Sequence, residues 1–388
     1  MQRWSVILLA GVLTCAFLIA PVAGVSPANE SSAQYECAFP FETTDGTNTT
    51  VSVPEEPERI VTLNPSAAQI MWEIGAEENV VGLTKHAMNL EGADERTNIS
   101  TADETINPEA VVELEPDLVL APSSQMVTEE LVETLRRAGV TVYYYPSAES
   151  IDDVRERTLL TGQLVGECEG AEETVEWMNH ELAIVEETIA GQDRPDVLYT
   201  FFGFTAGSET FIHELIETSG ATNIAAEVGI PEYQQVNEEM VIEENPDWIV
   251  LNTNSPEVPD SPAYAETTAI RENQTVVIDV NHLNRPGPRV IHAITELAET
   301  FHPDAYAAAQ ASAEEDESDA SSADTDDSNT ESSDTDTEAG TDSESSESTA
   351  TDVESPEEQP GFGALTALVA LVVGSLAAKR QSARSGER

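Results

Sequence analysis

The histidines and the few basic residues of this chain are the side chains best suited to chemistry, but their spacing forms no catalytic motif. The six histidines occur singly, and no two of them have the spacing of a zinc-binding motif such as H-x-x-x-H. The sequence also has no G-x-S-x-G nucleophile elbow, no P-loop and no G-x-G-x-x-G turn. Carboxylates are so abundant that no pair of them can be singled out for acid–base chemistry. The sequence therefore favours a binding protein over an enzyme.

Short apolar segments that alternate with helical ones predict an α/β fold. Runs that are apolar on both alternations are typical of strands buried on both faces of a parallel sheet, and they lie at residues 59–63, 80–83, 117–121, 140–145, 197–202, 248–252 and 276–280. Between them, residues 67–74, 128–138 and 210–219 have helical spacing. This alternation indicates parallel sheets with helical crossovers.

A longer amphipathic helix is predicted midway along the folded part, from Glu169 to Ala190, where apolar residues recur every three or four positions. The chain repeats a pattern on either side of it, because residues 107–120 correspond to residues 237–250 at a constant offset of 130. Each copy has an Asn at a helix N-cap, a Glu two residues later and a Pro-Asp pair before a strand. We therefore predict two related α/β lobes joined by a single long helix.

The repeated glutamates are Glu109 and Glu239, and they have two interpretations. A carboxylate in the first turn of a helix compensates the positive end of the helix dipole. Because this carboxylate recurs at the same place in both lobes, it also predicts a symmetric feature of the surface.

Candidate ligand-binding residues follow the predicted strands, because ligands of open α/β sheets bind beyond the carboxyl ends of the strands. Phe202 and Phe204 are suited to stacking on a large planar ligand. Arg285 and Arg289 suit carboxylate, phosphate or propionamide oxygens, although Arg289 could instead tie to acids of its own lobe. The candidates are Asn64, Pro65, Ser66, His86, Ser124, Phe202, Phe204, Thr205, His282, Arg285 and Arg289.

The composition restricts the partners and the compartment of the protein. Its net charge is −58, with 16 Lys and Arg against 74 Asp and Glu, which excludes nucleic-acid binding and suits a surface adapted to high salt. Cys37 and Cys168 lie outside the N-terminal apolar run, and they could form one disulfide in an oxidising compartment or remain free thiols. Sequons predict N-glycosylation of an exported chain at Asn29, Asn48, Asn98 and Asn273.

Both ends of the chain carry predicted targeting segments. A basic start, an apolar run and small residues at the N-terminus are typical of a secretory signal peptide. Near the C-terminus, an acidic Ser- and Thr-rich segment predicts a disordered stalk, and an apolar run with a basic end predicts a membrane anchor. The predicted order is a signal peptide (1–24), an extension (25–56), an N-terminal lobe (57–166), a connecting helix (167–191), a C-terminal lobe (192–310), a stalk (311–359) and a sorting or transmembrane segment (360–388).

Several segments resemble the helical-backbone binding proteins for cobalamin and ferric siderophores, namely residues 58–66 (ERIVTLNPS), 107–122, 201–220 and 285–289 (RPGPR). The resemblance covers about residues 57–305. It implies a class III periplasmic-binding-protein-like fold in which the long helix is a stiff hinge and the ligand lies between the lobes. It also implies a monomer that has no catalytic activity or cofactor and works with an ABC permease and its ATPase.

The same resemblance implies roles for particular residues. Glu109 and Glu239 would dock onto arginines of the permease. The implied ligand is cobalamin or another corrinoid, with a ferric chelate as the alternative. Where the cleft aromatic residues of known cobalamin binders fall, this chain departs from the pattern and has His86, Asp103, Pro122 and His282.

The C-terminus resembles the archaeal PGF sorting signal, because Pro360-Gly361-Phe362 precedes the apolar run and the basic end. This implies that an archaeosortase replaces the segment with a lipid anchor on the outer face of a haloarchaeal cell membrane. Two other functions stay open at this point. One is a free-metal binder that uses His86 and His282, and the other is an anchored structural protein of the cell surface.

Overall fold

Two parallel sheets organise residues 37–323, the part of the chain that this computed structural model describes, with side chains as far as residue 315. The predicted signal peptide, Asn29, the stalk beyond residue 323 and the C-terminal sorting segment lie outside these residues. The predicted class, two α/β lobes with parallel sheets joined by a long helix, is confirmed.

The N-terminal lobe contains a hairpin and a five-stranded parallel sheet. The strands of the sheet lie in the order β5-β4-β3-β6-β7. The elements of this lobe are β1 (Phe41–Thr44), β2 (Thr50–Val53), β3 (Ile60–Thr62), α1 (Pro65–Glu73), β4 (Val80–Leu83), β5 (Thr97–Asn98), α2 (Pro108–Glu113), β6 (Leu118–Pro122), α3 (Glu129–Arg137), β7 (Val142–Tyr145) and α4 (Ile151–Val165).

The connecting helix, α5 (Cys168–Ile189), packs closely against the end of α1. Thr174 Oγ1 donates a hydrogen bond to the carbonyl oxygen of Glu73 at 3.0 Å. A Cβ atom at Gly170 would lie 2.0 Å from the carbonyl oxygen of Ile74, so only glycine permits this approach. The long helix is therefore fixed to the N-terminal lobe at its first turns.

The C-terminal lobe has a four-stranded parallel sheet in the order β10-β8-β12-β13 and a small antiparallel pair, β9 and β11. Its elements are β8 (Asp196–Tyr199), β9 (Phe204–Ala206), α6 (Phe211–Thr218), β10 (Thr222–Asn223), α7 (Ile224–Glu227), β11 (Tyr233–Gln235), α8 (Glu238–Glu244), β12 (Trp248–Asn252), α9 (Pro262–Ala265), α10 (Thr268–Arg271), β13 (Thr275–Ile278), α11 (Val280–Leu283), α12 (Val290–Phe301) and α13 (Pro303–Ala323).

The internal repeat has the same structural role in both lobes. In the first, Asp117 Oδ2 accepts backbone hydrogen bonds from Glu58 and Arg59 at 3.1 and 2.9 Å. In the second, Asp247 Oδ2 accepts one from Asp196 at 3.1 Å. Each aspartate precedes a central strand and fixes the start of the neighbouring strand, which explains why the Pro-Asp pair recurs.

The predicted N-terminal extension contains a structured part that belongs to the first lobe. Val51 and Val53 of β2 are buried in the core of that lobe. Asp45, in the hairpin turn, is buried against Arg136 of α3 and forms an ion pair with it. A disulfide joins Cys37 to Cys168 at the first residue of α5. The hairpin is thus attached to the lobe by burial, charge and a covalent bond.

The predicted start of the stalk at residue 311 differs from the structure, because helix α13 continues to Ala323. Tyr306 and Ala309 are buried in the core of the C-terminal lobe, and Ala313 packs against it. This buried face stabilises the first turns of the helix, from which the helix continues into the acidic sequence that follows. Within residues 37–323, none of the helices is both long enough and apolar enough to cross a membrane.

Candidate ligand cleft and docking surface

The carboxyl ends of the strands in the N-terminal lobe lead into three loops with predicted site residues. After β3, Asn64 Oδ1 accepts hydrogen bonds from the Ser66 backbone at 2.8 Å and the Ser66 hydroxyl at 2.9 Å. Asn64 is therefore the N-cap of α1, and Pro65 begins the helix with the backbone angle that proline favours. Ser66 is buried. Helix α1 thus begins directly after β3, at the carboxyl edge of the sheet.

The loop after β4 holds the charged residues of this edge. Lys85 forms a short ion pair with Glu104. His86 Nε2 lies 3.3 Å from the same carboxylate group. Lys85 lowers the pKa of the Glu104 carboxyl below its ordinary value. The positive charge of Lys85 is therefore balanced within the lobe itself.

The loop after β6 is held by hydroxyl groups. Ser124 Oγ accepts a hydrogen bond from the Val127 backbone at 3.1 Å, and Tyr144 donates its hydroxyl to Ser123 Oγ at 2.9 Å. These bonds set the conformation of the loop, so both hydroxyls already have partners in the protein.

A tight turn after β8 presents aromatic rings at the edge of the C-terminal lobe. Phe201 and Phe204 exchange backbone hydrogen bonds of 2.9 and 2.8 Å across the turn. Phe202 and Gly203 at its tip have φ angles of +48° and +81°. The side chain of Phe202 is 69% exposed and that of Phe204 is 41% exposed. Thr205, by contrast, is fully buried in β9 and belongs to the support of the turn.

Sequence reasoning missed Tyr233, which belongs to the same aromatic surface. Tyr233 lies on β11 beside β9, is 51% exposed, and meets the ring of Phe201 edge-on at 5.8 Å. The Phe201 ring also stacks on buried Tyr199 at 5.4 Å. An alternating pattern would have revealed Tyr233 only if β11 had been predicted, and its three residues are too short for a periodic signal.

Two cavities involve the C-terminal lobe. One, of about 320 Å³, lies between the Phe202–Gly203 turn and the loop after β12, and Glu257 and Asp260 line it. The other, of about 640 Å³, lies between the lobes, with residues 147–149 on one side and Phe211 and His213 on the other. Of these two cavities, the first is lined by the predicted site residue Phe202, and the second is lined by none of the predicted site residues.

The three remaining candidates in the C-terminal lobe face protein groups. The His282 ring lies 5.1 Å from the His292 ring, which lies 5.1 Å from Trp177 of the long helix. Burial lowers the pKa of His282, so the imidazole is neutral at neutral pH. Arg285 and Arg289 bond to groups of the other lobe rather than to acids of their own. Burial lowers the pKa of Arg285 to about 10, so its guanidinium stays charged.

The repeated glutamates occupy equivalent exposed positions. Glu109 is in the first turn of α2 and Glu239 in the first turn of α8, each one residue after the position where the Asn-capped helix begins. Each helix runs back against the strand that follows it, so its first turn lies beside the carboxyl edge of the sheet. Both glutamates are exposed, one in each lobe.

The remaining predicted positions can be placed as well. Asn48, Asn98 and Asn273 are all exposed, as N-glycosylation requires. Asn98 lies at the end of β5, beside the candidate ligand loops, whereas Asn273 precedes β13 at the opposite edge of its sheet.

Within residues 37–323, no three or more His, Cys, Asp or Glu side chains come together as metal ligands.

Known proteins with the same architecture are readily found. The chain matches a family described as periplasmic binding protein over residues 60–281. It is 39% identical over 289 residues to a cobalamin-binding protein of Halobacterium salinarum, which covers 71% of this chain and 78% of that protein. It is 28% identical over 314 residues to the ABC transporter substrate-binding lipoprotein YvrC of Bacillus subtilis, with 78% and 97% covered.

Among solved structures, the periplasmic heme-binding protein RhuT of Roseiflexus sp. RS-1, in its apo form, superimposes with a TM-score of 0.57 at 26% identity. That match covers 64% of this chain and 99% of RhuT. The matched family consists of substrate-binding components of transport rather than enzymes. The two-lobed architecture, the single connecting helix and the family match agree, and the chain belongs to the periplasmic binding proteins, in their class III form.

Proposed function

We propose that this protein is the extracellular substrate-binding component of an ABC importer, which captures a corrinoid between its lobes and delivers it to the permease and its ATPase. The 39% identity to a cobalamin-binding protein supports the ligand class, and the likeness to an ABC transporter substrate-binding lipoprotein supports the importer. The exposed aromatic rings and the nearby carboxylates supply the physical argument for an uncharged ligand with a large conjugated face.

The observation that carries the proposal is the combination of exposed aromatic rings with cationic side chains that already bond to protein groups. Among the described residues at the candidate loops, Lys85 pairs with Glu104, and Arg289 pairs with Glu73. Arg285 donates to a backbone oxygen and an amide oxygen. Glu257 and Asp260 add negative charge beside Phe202. These two carboxylates would repel an anionic chelate at the Phe202 ring, whereas a corrin ring bears uncharged amides around a planar face.

A ferric siderophore or a similar iron complex is the second candidate. The likeness to heme-binding RhuT favours it, because heme is a planar iron chelate. Tyr233 also favours it, since phenolate oxygen is a suitable ligand for ferric iron, although burial raises the pKa of this phenol in the free protein. This candidate keeps the fold and the transport role and changes only the nutrient.

Calorimetry on the exported chain in molar salt decides between these ligands. We expect cyanocobalamin to bind tightly and a ferric hydroxamate and heme to bind at least about tenfold more weakly, the equivalent of 1.4 kcal/mol. Tighter binding of either iron complex would replace the corrinoid assignment with the second candidate. Binding of none of the three would contradict the proposal as a whole.

Docking onto the permease is proposed to use the two exposed glutamates. Replacing both Glu109 and Glu239 with Arg should abolish ligand uptake by cells and leave calorimetric affinity unchanged, because the residues lie outside the cleft contacts. The matched control is Glu113→Arg with Glu243→Arg, which makes the same charge change at the other end of α2 and α8. Equal uptake by the two double variants would exclude this docking surface.

The ends of the chain suit a lipid-anchored protein of a haloarchaeal cell surface. We propose removal of residues 1–24 on export, a stalk that begins after helix α13, and archaeosortase processing at the segment 360–388. The Asp- and Glu-rich composition and the PGF sequence support this interpretation. Intact-mass measurement of protein extracted from membranes should show the loss of both apolar segments, a lipid adduct, and glycans at sequons such as Asn273. A mass that retains residues 362–378 would contradict archaeosortase processing.

A further inference from the structure

Residues 281–289 of the C-terminal lobe, which we call the clip segment, contact the N-terminal lobe at three separate places. At the first, Gln69 Nε2 of α1 donates a hydrogen bond to the carbonyl oxygen of Asn281 at 3.3 Å. Gln69 is fully buried, and a Cβ atom at Gly287 would lie 2.5 Å from its Oε1. The two lobes therefore touch directly at the middle of α1, and Gln69 would have to move to admit a side chain at position 287.

The second place is the loop after β4. Arg285 Nη1 donates to Asn89 Oδ1 at 2.9 Å, and Arg285 Nη2 donates to the carbonyl oxygen of His86 at 2.6 Å. The planar guanidinium thus spans two acceptors in the other lobe, a geometry that lysine could not reproduce. This bond connects the clip segment to a loop that also carries predicted ligand-binding residues.

The third place is the end of α1, where Arg289 Nε donates to Glu73 Oε1 at 2.6 Å. The exposed fractions of these side chains are only 26% and 21%, so solvent screens the pair less than a surface ion pair. The backbone oxygen of Glu73 also accepts a bond from Thr174 of the long helix. Arg289 therefore joins the lobes at the point where the hinge helix is already attached.

The sequence of the clip segment makes it stiff as well as connected. Pro286 and Pro288 flank Gly287, and each proline ring fixes its own φ angle. A segment with few accessible conformations loses little entropy when it forms contacts, so these contacts need little ordering. Rigidity and three contact points together describe a spacer between the lobes rather than a mobile ligand loop.

We propose that the clip segment holds the two lobes at a fixed spacing before any ligand binds, and that Arg285 and Arg289 are positioning residues that determine the size of ligand the cleft accepts. The effect on ligand size rests on the proposed function, which supplies the identity of the ligand. The fixed spacing of the lobes does not depend on that function. It differs from a role of these arginines in direct ligand contact, because the bonds join protein to protein.

The spacing is tested first without ligand, by hydrogen–deuterium exchange on the exported chain. In the variant R285Q/R289Q, peptides that cover residues 65–73 and 280–290 should exchange at least about tenfold faster than in the wild-type protein. The matched control is R271Q, an exposed arginine whose guanidinium bonds within its own lobe to Thr268 Oγ1 at 3.2 Å. Unchanged exchange in R285Q/R289Q would overturn the clip, whatever ligand the protein binds.

Rescue separates positioning from general support of the fold. The single variants R289E and E73R should each speed exchange at residues 65–73, and the swap E73R/R289E should restore the wild-type rate because it reverses the same ion pair. Additive acceleration in the swap would overturn the role of this pair. Each variant is first required to show the wild-type circular dichroism spectrum. If a charge reversal does not, R289Q, E73Q and their double variant are used instead, and exchange in the double variant should be no faster than in either single variant.

Selectivity is then measured as the ratio of the affinities for cobalamin and for cobinamide, a smaller corrinoid without the nucleotide loop. We expect this ratio to change about tenfold in R285Q/R289Q, or 1.4 kcal/mol, with no change in R271Q. An equal loss of affinity for both corrinoids would assign the arginines to direct ligand contact and overturn their positioning role. If neither corrinoid binds the wild-type protein, the proposed ligand fails, and the exchange result still decides the clip.

Discussion

At the scale of single residues, Phe202 holds a backbone conformation that phenylalanine rarely adopts. Its φ angle of +48° lies in the left-handed region, where a bulky side chain is destabilised relative to Asn or Gly. Its ring is nevertheless 69% exposed, so burial does not offset this strain. The backbone nitrogen of Phe202 donates to Ser255 Oγ at 3.1 Å, which fixes the tip of the turn against the loop after β12. Strain at an exposed aromatic residue supports the proposed contact of Phe202 with the ligand.

Phe202→Asn should therefore raise stability and lower affinity at the same time. Asparagine tolerates positive φ, so we expect the free energy of unfolding to rise by about 1 kcal/mol. Loss of the ring should weaken corrinoid binding about tenfold. Urea unfolding and calorimetry measure the two effects, and Phe204→Ala is the control for ring loss without relief of strain. If Phe202→Asn is less stable than the wild-type protein and binds the corrinoid with the same affinity, the assignment of Phe202 to ligand contact is contradicted.

Several predicted site residues have structural roles that single-residue reasoning did not separate from ligand contact. Asn64 caps a helix, Ser66 is buried under that cap, and Thr205 lies inside the sheet. A polar residue after a strand is favoured both by helix capping and by ligand binding, so its type alone does not distinguish the two. Helix capping and ligand binding are distinguished only by the partner that each polar atom has in the folded structure.

At the scale of elements, one buried carboxylate contributes to the attachment of the N-terminal hairpin. Asp45 accepts hydrogen bonds from Thr47 Oγ1 at 2.7 Å, from the Thr49 backbone at 3.1 Å and from Arg136 of α3. Burial alone would raise the pKa of Asp45, but these hydrogen bonds together hold it below its ordinary value. The ionised carboxylate therefore connects the hairpin turn to the lobe.

The sign of this pKa shift predicts how stability depends on pH. A carboxyl whose pKa is lower in the folded state stabilises the fold above its unfolded pKa, about 3.9, and loses that contribution as pH falls through the folded value. We expect Asp45→Asn to lower the unfolding midpoint in urea at pH 7 and the difference from wild type to shrink below about pH 4. Asp152→Asn, which removes an exposed carboxylate of α4, is the control. A difference that stays constant between pH 7 and pH 3 would contradict the role of Asp45.

At the scale of the whole molecule, the net charge of −58 opposes compact folding through self-repulsion. At about 0.1 M salt, repulsion between surface carboxylates extends roughly 10 Å, and at 1 M it extends roughly 3 Å. We therefore expect the melting temperature of the exported chain to rise steadily from 0.1 M to 2 M NaCl. Sucrose at matched water activity is the control for preferential exclusion. Equal stabilisation by sucrose, or no dependence on NaCl, would contradict salt adaptation by screening.

The sequence by itself determined the class of the fold, the two lobes, the long helix and the repeated glutamates. These features depend on local periodicity, on capping residues and on an internal repeat, all of which are visible in the order of the residues. The predicted strand ends at Phe202 and Val280 were less accurate, since β8 stops at Tyr199 and β13 at Ile278. Strand ends depend on pairing with neighbours that are distant in sequence.

Only the tertiary structure decided which polar residues are free for a ligand. Arg285 and Glu73 have partners about 200 residues away along the chain, and no local pattern specifies such a partner. The same holds for the length of α13, whose helix continues because its first turns are buried in the C-terminal lobe. Long-range contacts depend on how helices and strands pack against one another, and the surfaces that pack together exist only after folding.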